Sequence, residues 1–581
     1  MKKPVVQVKN VKNCCFKDWN NIIGEIKNKI AKINNKKKVI VIECYQGINF
    51  NEISNSFINK LSADFIFKAS DAYLSVDEIK NKTFADVTDD RIFGFMTRLN
   101  IEDYFDKKKL SDVNNKINSI SEGLIIIYGT GASLLAKNYD LLVYADMARW
   151  EIQLRMRKNM VSNIGLNNEN DSSERKYKIG YFVDWRVCDR LKKKLMKNWD
   201  YVLDTNAENQ PKLVKGQAIL EGLKQAAHKP ISLVPYFDQG PWGGQWMKDV
   251  CDLDKSKPNF AWCINCIPEE NSMILGFDDI NVEIPSINLV FNKPTELLGE
   301  AVYSRFGDEF PIRFDFLDTF DGGNLSMQVH PLTEYIQENF GLNYTQDESY
   351  YILDAKEDAS VYLGLKENID AENMISELRT SAKEGSKFND KKFVNNWPAK
   401  KHDHFLIPAG TVHCSGKNSL VLEISSTPYI FTFKLWDWGR LGLDGKPRPI
   451  NIERGKDVIK WDRTTSWTKK NLINQIQLIG QGDGWKEEKT GLYKSEFIET
   501  RRHWFTKKVL HNTNQGVNVL NLIEGREAIV ESPSNAFEPF VVHYAETFIV
   551  PAAVGEYTIK PYGESKGCQC ATIKAFVRTN A

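Results

Sequence analysis

Four side chains suited to metal binding lie in three short segments of the carboxyl-terminal half of the chain. Gln328 and His330 stand two residues apart in SMQVHP, and residues two apart in a strand point to the same side. Glu348 begins the strand-like segment ESYYILDA, and His413 ends PAGTVH, where Pro, Ala and Gly turn the chain just before the imidazole. Two imidazoles, a carboxylate and an amide make a mixed nitrogen and oxygen donor set, which suits Zn²⁺ with room for a substrate or water.

The same residues also have an ordinary structural interpretation. A Gln-x-His pair in a strand can hold a hydrogen-bonded, partly buried histidine, and Glu348 can be a surface carboxylate. The chain has only 8 His among 581 residues, so two of them in one pattern carry more weight than they would in a His-rich protein. Spacing alone leaves both interpretations open.

Composition favours a small-molecule partner over a polymer or a membrane. The 77 Lys and Arg nearly balance the 76 Asp and Glu, giving a formal charge of +1. The net charge therefore gives no general electrostatic attraction for nucleic acid or anionic lipid. No apolar run approaches the length of a membrane span, and the first residues lack the apolar core of a signal peptide. The 10 Cys are too sparse for a disulfide scaffold. We therefore expect a cytoplasmic protein with reduced thiols.

Hydrophobic patterning separates the chain into an α/β part and a β-rich part. Residues 38–46, 122–135 and 140–158 each begin with an apolar run and pass into a helix-like segment, which predicts a parallel sheet over roughly residues 35–205. From about residue 230, short strands separated by Pro and Gly predict antiparallel sandwiches or barrels. Residues 370–384 predict an inserted amphipathic helix.

A repeated sequence pattern suggests that the β-rich part contains two related barrels. The segment TFIVPAAVGEYTI repeats the pattern of HFLIPAGTVHCSG, with an aromatic residue, two apolar residues, Pro, Ala and a small residue. The second copy lacks the histidine.

Five segments of the β-rich part match one known family in the same order. They are DQGPWGGQWMKDV (238–250), FLDTFDGGNLSMQVHP (316–331), ESYYILDA (348–355), IPAGTVHCSGKNSLVLEIS (407–425) and LWDWGRLGLDGKPRPINIERGKDVI (435–459). Over roughly residues 230–581 the chain thereby resembles the type I mannose-6-phosphate isomerases, which are zinc-dependent enzymes of the cupin fold.

The resemblance implies a double cupin of two jelly-roll barrels that interconverts mannose 6-phosphate and fructose 6-phosphate. It implies a sugar phosphate as the partner and one Zn²⁺ per chain. By the same resemblance the zinc ligands are Gln328, His330, Glu348 and His413. A Lewis-acidic ion would stabilise the oxyanion that develops when a proton moves between adjacent carbons.

The chain departs from the family pattern at two positions. The family commonly has a Lys shortly before the ligand Glu, whereas this chain has Gln346 there. Where the family usually carries a catalytic Arg, the chain has Lys434, which keeps the charge but not the two-pronged guanidinium. We take Lys434 and Arg440 as candidate catalytic cations, although Lys434 can also be a solvated strand lysine. A sugar-phosphate-binding regulatory protein with weakened catalysis is the alternative function.

The amino-terminal third resembles a P-loop nucleoside kinase whose loop is degenerate. The expected phosphate-binding turn is ECYQGINFNE, with a single Gly and no Lys, and a working P-loop needs that Lys. We therefore predict an α/β kinase-like domain at residues 1–228, a zinc cupin at 229–455 and a second cupin-like domain at 456–581.

Overall fold

The structure is a computed structural model that describes residues 3–443 and 445–579. The chain forms two compact units, one made of residues 3–226 and 270–293, the other of residues 227–269 and the chain from 294 onward. Among the described helices, none has the length and apolar character needed to cross a bilayer.

The first 226 residues alternate between strands and helices. The strands are β1 (Val5–Gln7), β2 (Cys15–Lys17), β3 (Lys37–Cys44), β4 (Phe65–Lys68), β5 (Gly123–Gly129), β6 (Leu141–Asp146), β7 (Tyr201–Asp204) and β8 (Lys212–Lys215). The α-helices are α1 (Trp19–Ala31), α2 (Phe50–Glu52), α3 (Val76–Val87), α4 (Lys107–Ser119), α5 (Arg149–Arg157), α6 (Ser173–Ile179), α7 (Trp185–Leu195) and α8 (Gly216–Ala226). Two π-helical turns cover Ile53–Phe57 and Gly180–Asp184.

Seven of these strands form one sheet in the order β2-β8-β7-β6-β3-β5-β4. Strands β3 to β7 are mutually parallel, and β8 and β2 run antiparallel at one edge. The last six residues of β3 and all of β6 are buried, as expected where a parallel sheet is covered on both faces. The parallel sheet predicted for residues 35–205 is confirmed.

The middle of the chain is dominated by antiparallel strands. They are β9 (Tyr236–Asp238), β10 (Trp262–Asn265), β11 (Ser272–Phe277), β12 (Ile280–Pro285), β13 (Ile312–Asp318), β14 (Met327–Val329), β15 (Glu348–Ala355), β16 (Ser360–Leu365), β17 (Val394–Pro398), β18 (His404–Ile407), β19 (His413–Ser415), β20 (Ser419–Ser426) and β21 (Phe433–Trp436). The helices of this part and its continuation are α9 (Trp246–Val250), α10 (Ile287–Asn292), α11 (Pro294–Leu298), α12 (Glu300–Phe306), α13 (Thr333–Phe340), α14 (Ala371–Glu384), α15 (Asp390–Phe393), α16 (Ile452–Lys456) and α17 (Thr465–Asn471).

Residues 270–293 fold with the amino-terminal unit, although the predicted domain division placed them in the zinc cupin. Strand β11 pairs in parallel with β1 and antiparallel with β12 in a separate three-stranded sheet. Helix α10 comes next in the chain and also has buried side chains. The boundary predicted after residue 228 therefore omits a segment that returns to the first unit.

Two facing sheets form the first barrel. One has the order β18-β15-β20-β13-β10-β9 and the other β17-β16-β19-β14-β21. The predicted helical insert is confirmed as α14, whose preceding Asp370 accepts a hydrogen bond from the Asn373 backbone N–H at 3.2 Å.

The second barrel begins at Gln477. Its strands are β22 (Gln477–Gly482), β23 (Trp485–Gly491), β24 (Ile498–Phe505), β25 (Val509–Asn512), β26 (Asn518–Glu524), β27 (Glu527–Glu531), β28 (Phe540–His543), β29 (Thr547–Val550), β30 (Glu556–Pro561) and β31 (Cys570–Val577). They form sheets β22-β23-β24-β31-β26-β29 and β25-β30-β27-β28, which bury a shared core including Leu520, Phe548 and Ile559. Helices α16 and α17 instead pack on β21 and β16 of the first barrel, so the barrel starts later than the predicted residue 456.

A fully buried lysine ties the returned segment to the sheet of the amino-terminal unit. The Lys192 Nζ donates to Asp146 Oδ1 at 2.8 Å and to Asn288 Oδ1 at 3.2 Å. Asn288 in turn donates to the other oxygen of Asp146 at 2.8 Å. The ammonium also lies 4.3 Å from the Tyr45 ring centroid. Contacts with protein groups therefore stabilise this buried charge.

We expect Lys192→Met to destabilise the protein by about 3–5 kcal/mol, because it leaves the Asp146 carboxylate buried and uncompensated. Lys194→Met is the matched control: its ion pair with Glu102 is about half exposed and should contribute less than about 1 kcal/mol. Urea unfolding of the full chain measures both. Equal unfolding midpoints for the two variants would show that the buried pair has no structural role.

Candidate metal centre

Three neighbouring strands of the first barrel hold candidate residues side by side. Gln328 in β14 lies directly opposite His413 in β19 on one side and Lys434 in β21 on the other. His330 follows β14 immediately, and Glu348 is the first residue of β15 in the facing sheet. The two sheets therefore present these side chains to one point inside the barrel.

The turn before His413 is fixed by several backbone contacts. The Gly410 N–H donates to the His330 carbonyl at 2.9 Å, and the Arg463 guanidinium donates to the carbonyls of Pro408 and Ala409 at 2.7 Å each. Gly410 has φ of +87°, and a Cβ there would come within 2.9 Å of the Val458 carbonyl oxygen. Glycine is required here, because it adopts a positive φ readily and has no Cβ to collide with that oxygen.

Glu348 is the centre of the cluster. Its Oε2 lies 3.1 Å from His330 Nε2, and its Oε1 lies 2.8 Å from His413 Nε2. One donor atom of each of these three residues lies within 4.8 Å of the others. The Gln328 amide approaches His413 Nε2 at 3.3 Å. All four side chains are buried, so the structure brings together every residue that the resemblance implied as a ligand.

The hydrogen bonds of the two imidazoles leave the same nitrogen facing inward in each. His413 Nδ1 lies 2.8 Å from the Thr411 carbonyl, and His330 Nδ1 lies 3.3 Å from the Phe431 carbonyl. A carbonyl oxygen can only accept, so both Nδ1 atoms carry hydrogen. Nε2 of each ring is thereby directed at the Glu348 carboxylate. Backbone carbonyls commonly orient metal-binding histidines in this way.

The charges of the cluster depend on one another. Burial alone would lower the pKa of His330, but the Glu348 carboxylate and the Phe431 carbonyl raise it above its usual value. Burial would likewise raise the pKa of Glu348, yet the two imidazoles hold it well below its usual range. The carboxylate therefore stays ionised and needs positive charge, supplied by protons on the rings or by a cation.

The donor set fits a divalent metal ion. His330 Nε2 and Glu348 Oε1 are buried without a well-formed hydrogen bond, which is costly unless something else satisfies them. Two imidazole nitrogens, a carboxylate oxygen and an amide oxygen match the preferences of a transition metal such as zinc. A half-turn of the Gln328 amide exchanges its nitrogen and oxygen and presents the oxygen to His413.

A second layer of side chains surrounds the carboxylate: it includes Gln346, which the sequence analysis noted as a departure from the family pattern, and Glu423, which it did not identify. Gln346 donates through Nε2 to Glu348 Oε2 at 3.0 Å and to Glu423 Oε1 at 3.2 Å. Glu423 is buried, and Arg313 ion-pairs with Asp315 and Glu423 at 2.8 and 3.5 Å. The signal in the sequence is the single carboxylate of Glu423 inside the apolar run SLVLEIS.

The two candidate catalytic cations have different surroundings. Lys434 is partly exposed on β21 beside Gln328; among the described residues its ammonium makes no ion pair, and burial together with Arg448 lowers its pKa to about 8. Arg440 is held by Asp437, to which its Nη2 donates at 2.7 Å, and by the Asn324 carbonyl. Lys434 is thus available to a ligand, while the Arg440 charge is already paired.

The second barrel does not repeat the cluster. The edge strands β18 and β29 carry the repeated pattern, and Ile407 at the end of β18 pairs with Glu348 just as Val550 at the end of β29 pairs with Asn518. Asn518 therefore occupies the position of Glu348. Counting along the repeat places Glu556, which is exposed, at the position of His413.

Comparison with known proteins links the chain to mannose-6-phosphate isomerases. It is 24% identical over 342 residues to "Probable mannose-6-phosphate isomerase GmuF" of Bacillus subtilis (strain 168), covering 57% of this chain and 96% of that protein. It is 28% identical over 240 residues to "Mannose-6-phosphate isomerase ManA" of the same strain, covering 40% of this chain and 68% of that protein. The chain is homologous to these proteins.

The other comparisons concern the fold and the amino-terminal region. The solved mannose 6-phosphate isomerase from Bacillus subtilis aligns with 20% identity and a TM-score of 0.48, covering 60% of this chain and 99% of that structure. A family profile described as "Domain of unknown function (DUF8485)" matches residues 18–228.

We expect the full chain to bind one Zn²⁺ and His330→Ala to weaken binding more than about 100-fold, because a first ligand contributes more than an outer contact worth roughly 10–100-fold. His543→Ala is the control, since His543 is 43% exposed. Because the pKa of His330 is raised above its usual value, zinc must displace a proton, and affinity should rise with pH until that imidazole is deprotonated. Equilibrium dialysis against zinc measures these affinities, and equal affinity in both variants would contradict the site.

Proposed function

We propose that the protein is a zinc-dependent aldose-ketose isomerase that interconverts mannose 6-phosphate and fructose 6-phosphate. The observation that carries the proposal is the convergence of His330, Glu348 and His413 inside the first barrel, with both Nε2 atoms directed at the carboxylate. The names of the homologous proteins support the choice of reaction. The proposed metal ligands are these three residues and Gln328.

The bound metal would supply a Lewis acid for the sugar oxygens, on which negative charge develops as a proton moves between adjacent carbons. The chain's own residues set the conditions for this chemistry. Gln346 holds the Glu348 carboxylate in place through its Nε2, and the Thr411 and Phe431 carbonyls fix the ring orientation of the two histidines. Such fixed dipoles need no rearrangement during the reaction.

Lys434 is the residue that we propose to contact the substrate as a cation. Its ammonium lies on the strand next to Gln328 and has no carboxylate partner among the described residues. It can therefore stabilise an anionic oxygen of the sugar phosphate. Arg440 is proposed to act by position, because its guanidinium and that of Arg448 both contact Asp437. Arg448 in turn lies close enough to Lys434 to lower the pKa of its ammonium.

Further proposals concern the two barrels, residues 1–228 and the location of the protein. We propose that the two barrels form a double cupin, and that residues 1–228 are a kinase-like domain without phosphoryl-transfer activity. The turn that follows β3 has Gly47 as its one glycine and has no lysine, which supports that loss of activity. A cytoplasmic location is supported by the ten cysteines, all of which are free thiols.

With zinc bound, the full chain should convert mannose 6-phosphate into fructose 6-phosphate in a coupled spectrophotometric assay. Glu348→Gln should lower kcat/KM by at least about 10³-fold, because several kcal/mol of charge stabilisation depends on the metal. Glu357→Gln, a change at a surface carboxylate, is the control and should leave kcat/KM within about twofold.

The opposite result defines the second candidate function. The sugar-phosphate-binding regulator is favoured by Gln346, which occupies the position of an expected cation and donates instead to Glu348. Saturable binding of fructose 6-phosphate by zinc-loaded protein, without any product, would support the regulator and reject the isomerase.

The pH profile tests the role of Lys434. Because burial lowers its pKa to about 8, the ammonium is present at neutral pH and is lost as the pH rises through that value. We expect kcat/KM to fall above pH 8 in the native chain, and Lys434→Arg to move this fall to higher pH because guanidinium stays protonated. Lys417→Arg, at an exposed ion pair with Asp358, should leave the profile unchanged. Superimposable profiles for the native chain and Lys434→Arg would exclude the role.

A further inference from the structure

The amino-terminal unit contains a cavity of about 530 Å³, a volume in the range of small-molecule sites. It lies where the parallel strands β3, β4 and β5 end, and its walls come from the segments that follow these strands and from the loop at residues 160–169. From β3 the chain moves outward to β4, returns to β5 and then crosses to β6 on the other side of β3. Ligands of open α/β sheets bind at the carboxyl ends of strands where the order reverses in this way.

About half of the residues that line the cavity carry neutral amides or hydroxyls. Two of the amides build the wall: Gln46 donates to the Ser162 carbonyl at 3.0 Å and accepts from Trp185 Nε1 at 3.1 Å, and Asn163 donates to Asp184 at 2.7 Å. These hydrogen bonds hold both side chains in the wall.

Other lining groups are uncommitted. Among the described residues, the side chains of Asn51, Ser54, Ser70 and Asn167 make no hydrogen bond to protein. Several neighbouring donors and acceptors of this kind match the alternating donor and acceptor character of hydroxyl groups. The cavity is therefore suited to a ligand with several hydroxyls.

One positive charge is available at the same place. Lys68 lines the cavity, lies 6.0 Å from the centroid of the Tyr128 ring and has no ion pair among the described residues. The one lining carboxylate, Glu169, accepts from Ser162 at 2.7 Å, and this bond and the nearby Lys176 ammonium hold its pKa below the usual value. The charge of Glu169 is thus balanced within the protein, while that of Lys68 is not.

The mouth of the cavity also exposes apolar surface. Phe50 is 44% exposed and Met160 is 37% exposed, and both line the cavity. An aromatic ring and a thioether next to unused hydrogen-bonding groups suit a ring compound that has an apolar face and a polar edge.

From these features we infer that the cavity binds a sugar that carries one phosphate, either a free hexose phosphate or the sugar phosphate of a nucleoside monophosphate. The amides and hydroxyls contact the sugar hydroxyls, Lys68 pairs with the phosphate, and Phe50 and Met160 cover the ring. The site binds without reacting, because its single carboxylate is engaged and the turn after β3 has no lysine. This inference is independent of the proposed isomerase function.

Isothermal titration calorimetry of the full chain tests the inference. The chain carries His413→Ala, and EDTA is present, so that the metal centre does not contribute. The titrants are mannose 6-phosphate, glucose 6-phosphate, AMP and UMP, together with mannose, glucose, adenosine and uridine. We expect at least one phosphorylated compound to bind with a stoichiometry of one, and whether it is a hexose phosphate or a nucleotide identifies the source of the ligand.

Variants locate the binding in the cavity. Ser70→Trp fills it and should weaken binding at least tenfold, and Asn51→Trp provides a second filling variant at an exposed position. Lys68→Met should weaken the phosphorylated ligand about tenfold and leave any binding of its unphosphorylated parent unchanged. Lys29→Met, at an exposed position of α1, is the matched control and should have no effect.

Two results would overturn the inference. One is the absence of binding by all four phosphorylated compounds at millimolar concentration. The other is binding that neither filling variant weakens, with circular dichroism showing that both variants are folded. Isomerase activity is not measured in this experiment, so its outcome does not depend on the proposed function.

Discussion

The first barrel is organised around a buried carboxylate that two imidazoles share. Glu348 is fully buried and ionised, which is unfavourable unless positive charge lies against it. Its two oxygens meet the two histidines at 3.1 and 2.8 Å. The neighbouring features serve this contact: Gln346 donates to the same carboxylate, backbone carbonyls orient both rings, and Gly410 with Arg463 fixes the turn that presents His413.

Much of this arrangement was predictable from residue types and spacing. Continuous apolar runs separated by helical patterns predict the parallel sheet, because a strand buried on both faces needs apolar residues at every position. The alternation of Gln328 and His330 places both on one side of a strand. The repeated Pro-Ala pattern predicts two related barrels, and β18 and β29 are the corresponding edge strands.

What the sequence could not supply were contacts between segments distant in the chain. The return of residues 270–293 to the first unit depends on pairing between β11 and β1, and on the contact of Asn288 with Lys192, neither of which leaves a local pattern. Glu423 resembles any single acid in a strand until Arg313 and Gln346 are placed beside it. The cavity beyond β3 is likewise formed by four segments, and only the turn in ECYQGINFNE among them was singled out from the sequence.

We propose that Gln328, His330, Glu348 and His413 hold a metal ion that contacts a sugar phosphate. The most direct measurement is the visible absorption spectrum of the cobalt-substituted protein, because cobalt bands report the ligands and geometry of the ion. We predict bands that change when fructose 6-phosphate is added and that are absent in Glu348→Ala. Identical spectra in the native chain and Glu348→Ala would exclude a metal ion at Glu348, and cobalt bands that do not respond to the sugar phosphate would exclude its contact with the metal.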